Sequence, residues 1–305
     1  MDKILILGTG SIGSEIAYSF SNDYEIICID HGKHFDSINA KLPKVKLVKG
    51  DIHDQCLIRK EAENSDIIFY CVDTGGVVDC IDSPSKYEDI NTISFRKLLN
   101  SLNNKNVHFF LFSSIFVYPD VSNITEDTPL NPSTLYGKFR MNQEQILHES
   151  DFNYTILRLS NIFGYGHFFN VGNKDAIEKF IDCVFEGQKI ILHGDGNQRV
   201  DYIYKSDLMD LLKTLVKIRA ERRVFNVSTG HVKPISKIAE IVVEIGREGF
   251  GKSVEIIKSN TSVRLPNLPK VSPNRVMRET FWKPSFNLHS RIREMMNVCK
   301  LKNKG

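Results

Sequence analysis

The chain has 305 residues, 41% of them hydrophobic and 25% charged, with a formal net charge of +3. That length holds a full core, as one large domain or one with a smaller appendage, and the composition is ordinary for a soluble globular protein. The small net charge gives no reason to expect a nucleic-acid or membrane-surface partner.

Six cysteines lie far apart, with neither metal-ligand spacing nor a disulfide framework. They read as small buried hydrophobes in a reducing cytoplasm, and no metal is expected. The N-terminus enters an apolar stretch at once, which leaves no room for a signal peptide. No apolar run approaches the roughly 18 residues that would span a bilayer.

The first element is Ile4 to Leu7, four apolar residues in a row, as a parallel strand buried on both faces reads. Glycines follow at Gly8, Gly10 and Gly13, and Ile12, Ile16, Ala17 and Phe20 recur at helical spacing. Strand, glycine turn and helix start present free backbone N–H groups and a positive dipole end to a pyrophosphate. Gly8 permits the turn, Gly10 lets phosphates approach the backbone, and Gly13 lets the helix lie close to the sheet; Ser11 and Ile12 complete the turn. A second strand, Glu25 to Ile29, ends in Asp30, about 20 residues past the first glycines, where an acid accepts the ribose hydroxyls of an adenosine. A carboxylate there repels a ribose 2′-phosphate, so NAD is favoured over NADP, although His31, Lys33 and His34 stand close by.

Further strands are expected at Val45 to Val48, Asp66 to Cys71, Val107 to Phe112 and Tyr154 to Leu159. Between them lie helices from Asp54, over about Ser85 to Leu102, and over about Ser133 to Ser150. This alternation predicts an α/β, doubly wound (Rossmann) parallel sheet. Past Gly164 the rhythm loosens, with a helix from Asp175 to Gly187, a glycine-rich loop from His193 to Arg199 and later helices at Ile235 to Gly246 and Leu288 to Cys299. Asp201 to Tyr204 and the helix from Asp207 read as returning to the main sheet. The expected division is a dinucleotide-binding domain over 1–164, rejoined by 201–229, and a smaller C-terminal α/β substrate domain from 165–200 and 230–305.

Tyr136 and Arg140 are four apart on one helix and share a face. Ser114 follows a strand end in the same sheet. A serine, a phenol and a cation around a nicotinamide suit reversible hydride transfer at a sugar carbinol: the phenolate takes the hydroxyl proton, the serine orients the oxygen, and the cation lowers the phenol's pKa from about 10. Taken singly, each has a plainer role as strand-end Ser, half-buried Tyr or exposed helical Arg.

In this order the motifs resemble the extended short-chain dehydrogenase/reductase family of NAD-dependent sugar-nucleotide epimerases and dehydratases, over nearly the whole length. The resemblance rests on Gly8-Thr9-Gly10-Ser11-Ile12-Gly13 with Asp30, and on Gly50-Asp51-Ile52. Ser113-Ser114-Ile115-Phe116-Val117-Tyr118, Tyr136-Gly137-Lys138, Arg158 to Gly164, Gly194 to Tyr202 and Trp282-Lys283-Pro284 extend it. It implies Ser114 as the active-site hydroxyl, Tyr136 as acid/base, and Asp51 and Ile52 at the adenine. It also places Asn161 near the substrate diphosphate, with Arg264 as its clamp; a loop arginine in solvent is the competing reading of Arg264.

Three positions depart from the family pattern. Arg140 stands where the family has a lysine that also touches the nicotinamide ribose; it keeps the charge but changes the shape. Lys138 is half a turn away and faces elsewhere. Val200 stands where the family usually has an arginine in the glycine-rich loop, leaving Arg199 to bind substrate only if that loop is reshaped. Leu7 replaces the first glycine of the commoner fingerprint.

Ile115 and Phe116 occupy the places where the family's dehydratases carry an Asp-Glu acid and base, which disfavours water elimination. What remains is an epimerase working through a 4-keto sugar, or a sugar-nucleotide 4-dehydrogenase or ketoreductase. Because dedicated reductases more often use NADPH, Asp30 leans toward epimerisation. A third reading is a protein that binds NAD and a nucleotide-sugar with weak or no catalysis, motivated by Arg140. The resemblance further implies a homodimer through the two long helices, using Ile90, Ile93, Leu98, Met141 and Ile146, residues that would equally serve packing on the sheet.

Overall fold

Along the first strand, Ile4 and Ile6 point to one side and Leu5 and Leu7 to the other, none more than 1% exposed. This two-sided burial is what the unbroken apolar run requires. The computed structural model describes residues 2–302 apart from 73, 74, 122, 169, 170, 172, 173, 260–266, 268, 269 and 286. Arg264, expected at the diphosphate, lies outside these residues.

The N-terminal part runs β1 (Lys3–Leu7), α1 (Ser11–Phe20), β2 (Glu25–Asp30), α2 (Phe35–Lys41), β3 (Lys46–Lys49), α3 (Gln55–Ala62) and β4 (Ile67–Tyr70). Then come α4 (Val77–Asp82), α5 (Pro84–Glu88), a π-helical turn over Asp89–Ile93, α6 (Ser94–Ser101), β5 (His108–Ser114), α7 (Leu135–His148) and β6 (Asn153–Leu159). The remainder supplies β7 (Asn161–Phe163), α8 (Ala176–Glu186), β8 (Ile190–His193), β9 (Arg199–Val200), β10 (Tyr202–Tyr204), α9 (Lys205–Ile218) and β11 (Arg223–Val227). It closes with β12 (Lys233–Pro234), α10 (Ile235–Phe250), β13 (Ile256–Ser259), α11 (Asn274–Thr280) and α12 (Leu288–Lys302).

Seven strands form one parallel sheet in the order β11-β6-β5-β4-β1-β2-β3. The order reverses between β1 and β4, and the crevice beyond their carboxyl ends is where such a sheet receives a ligand. Alternate side chains divide the core: Ile67, Phe69, Phe110 and Phe112 join one face, and Ile68, Tyr70, Phe109 and Leu111 the other. A further apolar cluster gathers α8, α10 and α12 beyond the carboxyl ends, including Ile181, Val242 and Met296.

Two expectations change. The stretch read as one helix from Ser85 to Leu102 is α5, a π turn and α6 in series. A π turn absorbs one residue into a helix, a shift that sequence periodicity hardly registers; here Asn91 is buried while Ile93 is 42% exposed. Second, β10 does not enter the main sheet but pairs with β7 alone, Tyr202 opposite Asn161 and Tyr204 opposite Phe163. What joins the main sheet is β11, at its edge beside β6.

Candidate active site

The glycine turn is built as a cradle. A Cβ on Gly13 would lie 1.9 Å from the Gly8 carbonyl oxygen, so no side chain fits where α1 meets the turn. A Cβ on Gly10, by contrast, would meet nothing within 4 Å. The backbone N–H groups of Ser11, Ile12 and Gly13 open α1, in the first turn where such groups lack helical partners. Asp30 is held in register: its Oδ2 accepts from the Thr9 N–H at 2.7 Å and its Oδ1 from Gly32 N–H at 3.1 Å. A carboxylate has further acceptor positions for two ribose hydroxyls. Open space before a helix N-terminus, with a fixed acid beside it, fits a dinucleotide.

Three cavities line up along the crevice. One of about 310 Å³ is bordered by Gly8, Gly10, Asp30, Asp51, Ile52 and His53. The central one, about 490 Å³, is bordered by Ile12, Ser114, Tyr136, Arg140, Asn161 and Gln198, and shares Cys71 and Val72 with the first. The third, about 700 Å³, lies against α8 and β8 and shares Val78, Asn161, Ile162 and Gln198 with the centre. Shared walls thus join the three, with Ser114, Tyr136 and Arg140 on the middle one.

Ser114 is the last residue of β5, and its Oγ accepts from the Phe116 N–H at 3.2 Å. Tyr136 enters on α7, whose start is capped by Thr134 Oγ1 accepting from the Gly137 N–H at 3.0 Å. Gly137 is a close-approach position: a Cβ there would sit 2.3 Å from the Phe116 carbonyl oxygen. The contact presses α7 against the turn after β5 and so brings the phenol to the serine's wall. The Tyr136 ring meets Phe116 edge to face at 6.0 Å, and the Arg140 guanidinium carbon lies 5.2 Å from the Tyr136 ring centre. Arg140 is buried, whereas Lys138 is exposed, as the helical spacing requires.

Behind this wall runs a buried network that the sequence reading did not assign. Glu144 accepts from Arg158 Nε at 3.0 Å, from Arg158 Nη2 at 2.6 Å and from Ser113 Oγ at 2.5 Å. Arg158 Nη1 donates to Tyr118 Oη at 2.5 Å, and Tyr118 donates to Asn226 Oδ1 at 2.8 Å. Burial opposes the Arg158 charge, yet the adjoining Glu144 carries its pKa upward on balance. Burial likewise pushes the Tyr118 phenol up to about 12. These are scaffold groups tying β5, β6, β11 and α7 together; the hint in the sequence is that Ser113, Tyr118 and Arg158 belong to the motifs themselves.

Arg199 does not border the cavities. On the two-residue strand β9, alternate side chains face opposite ways, so Val200 is buried against the third cavity and Arg199 points out to Asp120, Nη2 to Oδ1 2.7 Å. Among the described residues, Lys179 and Lys189 are the lysines bordering that cavity, and the sequence reading singled out neither. Asp175 caps α8 at the same cavity, and burial, then Glu178, raises its carboxyl to about 7.

At the adenosine end, His53 bridges two carboxylates: Nδ1 meets Asp51 Oδ1 at 2.5 Å and Nε2 meets Asp89 Oδ2 at 2.8 Å. Both ring nitrogens donate only in the charged imidazolium. Hydrogen bonding to Asp51, then Asp89, raises the His53 pKa, while the His53 backbone N–H, then its ring, lowers that of Asp51. The His53 contribution to stability is therefore complete below about pH 6.5 and lost as pH rises through the raised folded value. Melting curves between about pH 5 and 9 should show the parent losing stability over that rise more than a His53→Ala chain; parallel curves would remove the bridge's role.

Among the described residues no helix is long and apolar enough to cross a membrane, and no group of His, Cys, Asp and Glu is arranged to hold a metal.

Residues 4–228 match the family model for the NAD dependent epimerase/dehydratase family. A UDP-glucose 4-epimerase of Lactobacillus helveticus is 30% identical over 255 residues, 75% of this chain and 77% of that protein. A putative UDP-glucose 4-epimerase of Methanocaldococcus jannaschii is 25% identical, covering 97% of this chain and 98% of its own. Among solved structures, a UDP-N-acetylglucosamine 4-epimerase from Methanobrevibacter ruminantium superposes with a TM-score of 0.83 at 23% identity, over 99% of both chains. A dTDP-glucose 4,6-dehydratase from Streptomyces venezuelae with NAD bound gives 0.84 at 18%, over 99% of this chain and 98% of its own. A glycine cradle, a serine–tyrosine–arginine cavity and a family match across most of the sheet thus agree, and the chain belongs to the NAD-dependent epimerase/dehydratase family.

Proposed function

We propose that the protein is a sugar-nucleotide 4-epimerase that works through a 4-keto sugar, with Tyr136 as acid and base. The observation that carries this is the placing of Ser114, Tyr136 and Arg140 on one cavity that continues into the glycine cradle on one side and the large α8–β8 cavity on the other. NAD, when bound, supplies the hydride acceptor and donor. Tyr136 as phenolate accepts the proton of the sugar's C4 hydroxyl and returns it to the ketone oxygen on reduction; Ser114 orients that oxygen, and the Arg140 charge favours the phenolate. Gly8, Gly10, Ser11, Ile12, Gly13, Asp30, Asp51 and Ile52 hold the dinucleotide, and Asn161 faces the sugar nucleotide. Ile115 and Phe116 carry no proton to exchange, which supports epimerisation over loss of water. In the proposed division of labour, 1–164 and 201–229 bind the dinucleotide and 165–200 with 230–305 the substrate.

The test is to incubate the protein with NAD and UDP-glucose, the sugar nucleotide named for the curated relatives, and to follow products by NMR. UDP-galactose formed without net NADH accumulation supports the epimerase. Accumulating NADH indicates a 4-dehydrogenase, and NADH consumed by a 4-keto sugar nucleotide a ketoreductase. Tight retention of both ligands without product indicates a binding protein.

We also propose a homodimer joined through the π turn and α7. Leu98 and Ile146 are buried in the protomer, Ile90 borders the first cavity and Met141 packs on an apolar cluster, which leaves the exposed Ile93 for a partner. Analytical ultracentrifugation should give twice the chain mass; a single-chain mass at micromolar protein would refute it.

A further inference from the structure

His53 lies between β3 and α3 and is held from two sides. Its ring nitrogens reach Asp51 Oδ1 at 2.5 Å and Asp89 Oδ2 at 2.8 Å. Asp89 opens the π turn, so the ring ties together two segments that are remote in sequence. The same two segments give Asp51, Ile52 and Ile90 to the wall of the first cavity.

Asp51 is gripped at one oxygen. Its Oδ1 accepts from the His53 backbone N–H at 2.8 Å as well as from the ring. Its Oδ2 lies 3.7 Å from His31 Nδ1, too far for a hydrogen bond. With Oδ1 occupied, Oδ2 is the oxygen left to accept from a ligand. The terminal torsion of an aspartate is broad, and two bonds to one oxygen narrow it. Adenine offers such an acceptor a donor, its exocyclic amino group.

We propose that His53 is a positioning residue for base recognition: its imidazolium, braced by Asp89, turns the Asp51 carboxylate so that Oδ2 accepts from the adenine amino group of the dinucleotide. This rests on the reading of Asp51 as an adenine contact and is independent of Tyr136. A neutral imidazole carries one N–H and cannot donate to both carboxylates. The brace is therefore complete below the His53 pKa and lost as pH rises through it. Asp51, then Asp89, raises that pKa. Asp54, next in the chain, caps α3 through the Leu57 N–H, and the other charged groups on the cavity wall are Asp30, His31, Lys33 and His34.

The probe is nicotinamide hypoxanthine dinucleotide, which carries a carbonyl oxygen where NAD has the adenine amino group. Displacement of NADH fluorescence by each dinucleotide, between about pH 5 and 8, gives the ratio of their affinities. At the acid end the parent should prefer NAD by about tenfold or more, the worth of a hydrogen bond to a charged acceptor, and the preference should fall as pH rises. His53→Ala should hold the preference at about threefold or less throughout. With Asp51→Ala present, adding His53→Ala should change it no further, because His53 acts through Asp51. Asp89→Asn removes one of the charges that raise the His53 pKa, so the fall should begin at lower pH. His53→Arg, whose cation does not titrate in this range, should show no fall. A general loosening of the fold weakens both dinucleotides alike and leaves the ratio unchanged.

A His53→Ala chain that keeps the parent's preference would overturn this inference. So would an Asp89→Asn chain whose midpoint stays put, or a His53→Arg chain that keeps the pH dependence, which would assign that dependence to His31 or His34. A parent without preference at any pH would remove the adenine reading of Asp51 as well, and leave the chemistry proposed for Tyr136 standing. If His53→Ala does not fold, Asp89→Asn and His53→Arg decide by the same displacement.

Discussion

Tyr136→Phe should bind NAD as the parent does and lose about 10²- to 10⁴-fold in kcat, the usual contribution of a positioned acid or base. The substitution removes one oxygen and keeps the ring, so the edge-to-face contact with Phe116 and the place of Arg140 over the ring persist. Only the proton acceptor is gone. If the hydroxyl acts in the reaction, kcat and kcat/KM should fall together, because the interaction lost belongs to the transition state. A change confined to KM would make Tyr136 a binding residue, and full activity would end the proposed mechanism. Steady-state rates with UDP-glucose, and NADH fluorescence for the cofactor, separate these outcomes.

The second large effect is on stability. Glu144→Ala leaves the Arg158 guanidinium buried without its carboxylate, and Arg158 is only 4% exposed. Breaking one partner of a buried pair costs about 3–5 kcal/mol. For a domain of this size the melting temperature should fall by on the order of 10 °C. Because the same carboxylate accepts from Ser113, next to Ser114, activity at low temperature should fall as well. Replacing both partners, Glu144→Leu with Arg158→Met, should recover a substantial part of the stability, since an apolar pair does not strand a charge. A Glu144→Ala chain melting within a degree or two of the parent would show that Tyr118 and the Glu126 carbonyl hold Arg158 without it.

Some of this molecule is readable from the chain because the physics is local. The Gly8 to Gly13 turn, the strand ending in Asp30 and the Tyr136–Arg140 spacing each involve residues near in sequence. Strand alternation and helical period alone dictate their faces. The parallel sheet followed the same way, from apolar runs too short to be anything but strands buried on both sides.

Other features depended on partners distant in sequence. Nothing near Tyr202 says that its strand will pair with Asn161 to Phe163 rather than enter the main sheet. Nothing near Arg199 says that Asp120 will draw it out of the crevice. The π turn at Asp89–Ile93 adds one residue to a helix whose apolar spacing hardly changes.

The amino-acid sequence by itself determined the cofactor fold, because short-range geometry fixes the glycine turn and the strand that ends in Asp30; the three proposed reactive groups were suggested by the order of the motifs and their resemblance to a family. The tertiary structure alone decided which groups surround them, Gln143 bonded to Arg140, and Glu144 with Arg158 on Ser113, the neighbour of Ser114. It also decided that three separate cavities form one crevice. The reason is that a buried polar group takes whatever partner packing delivers to it, and packing is set by the whole chain at once.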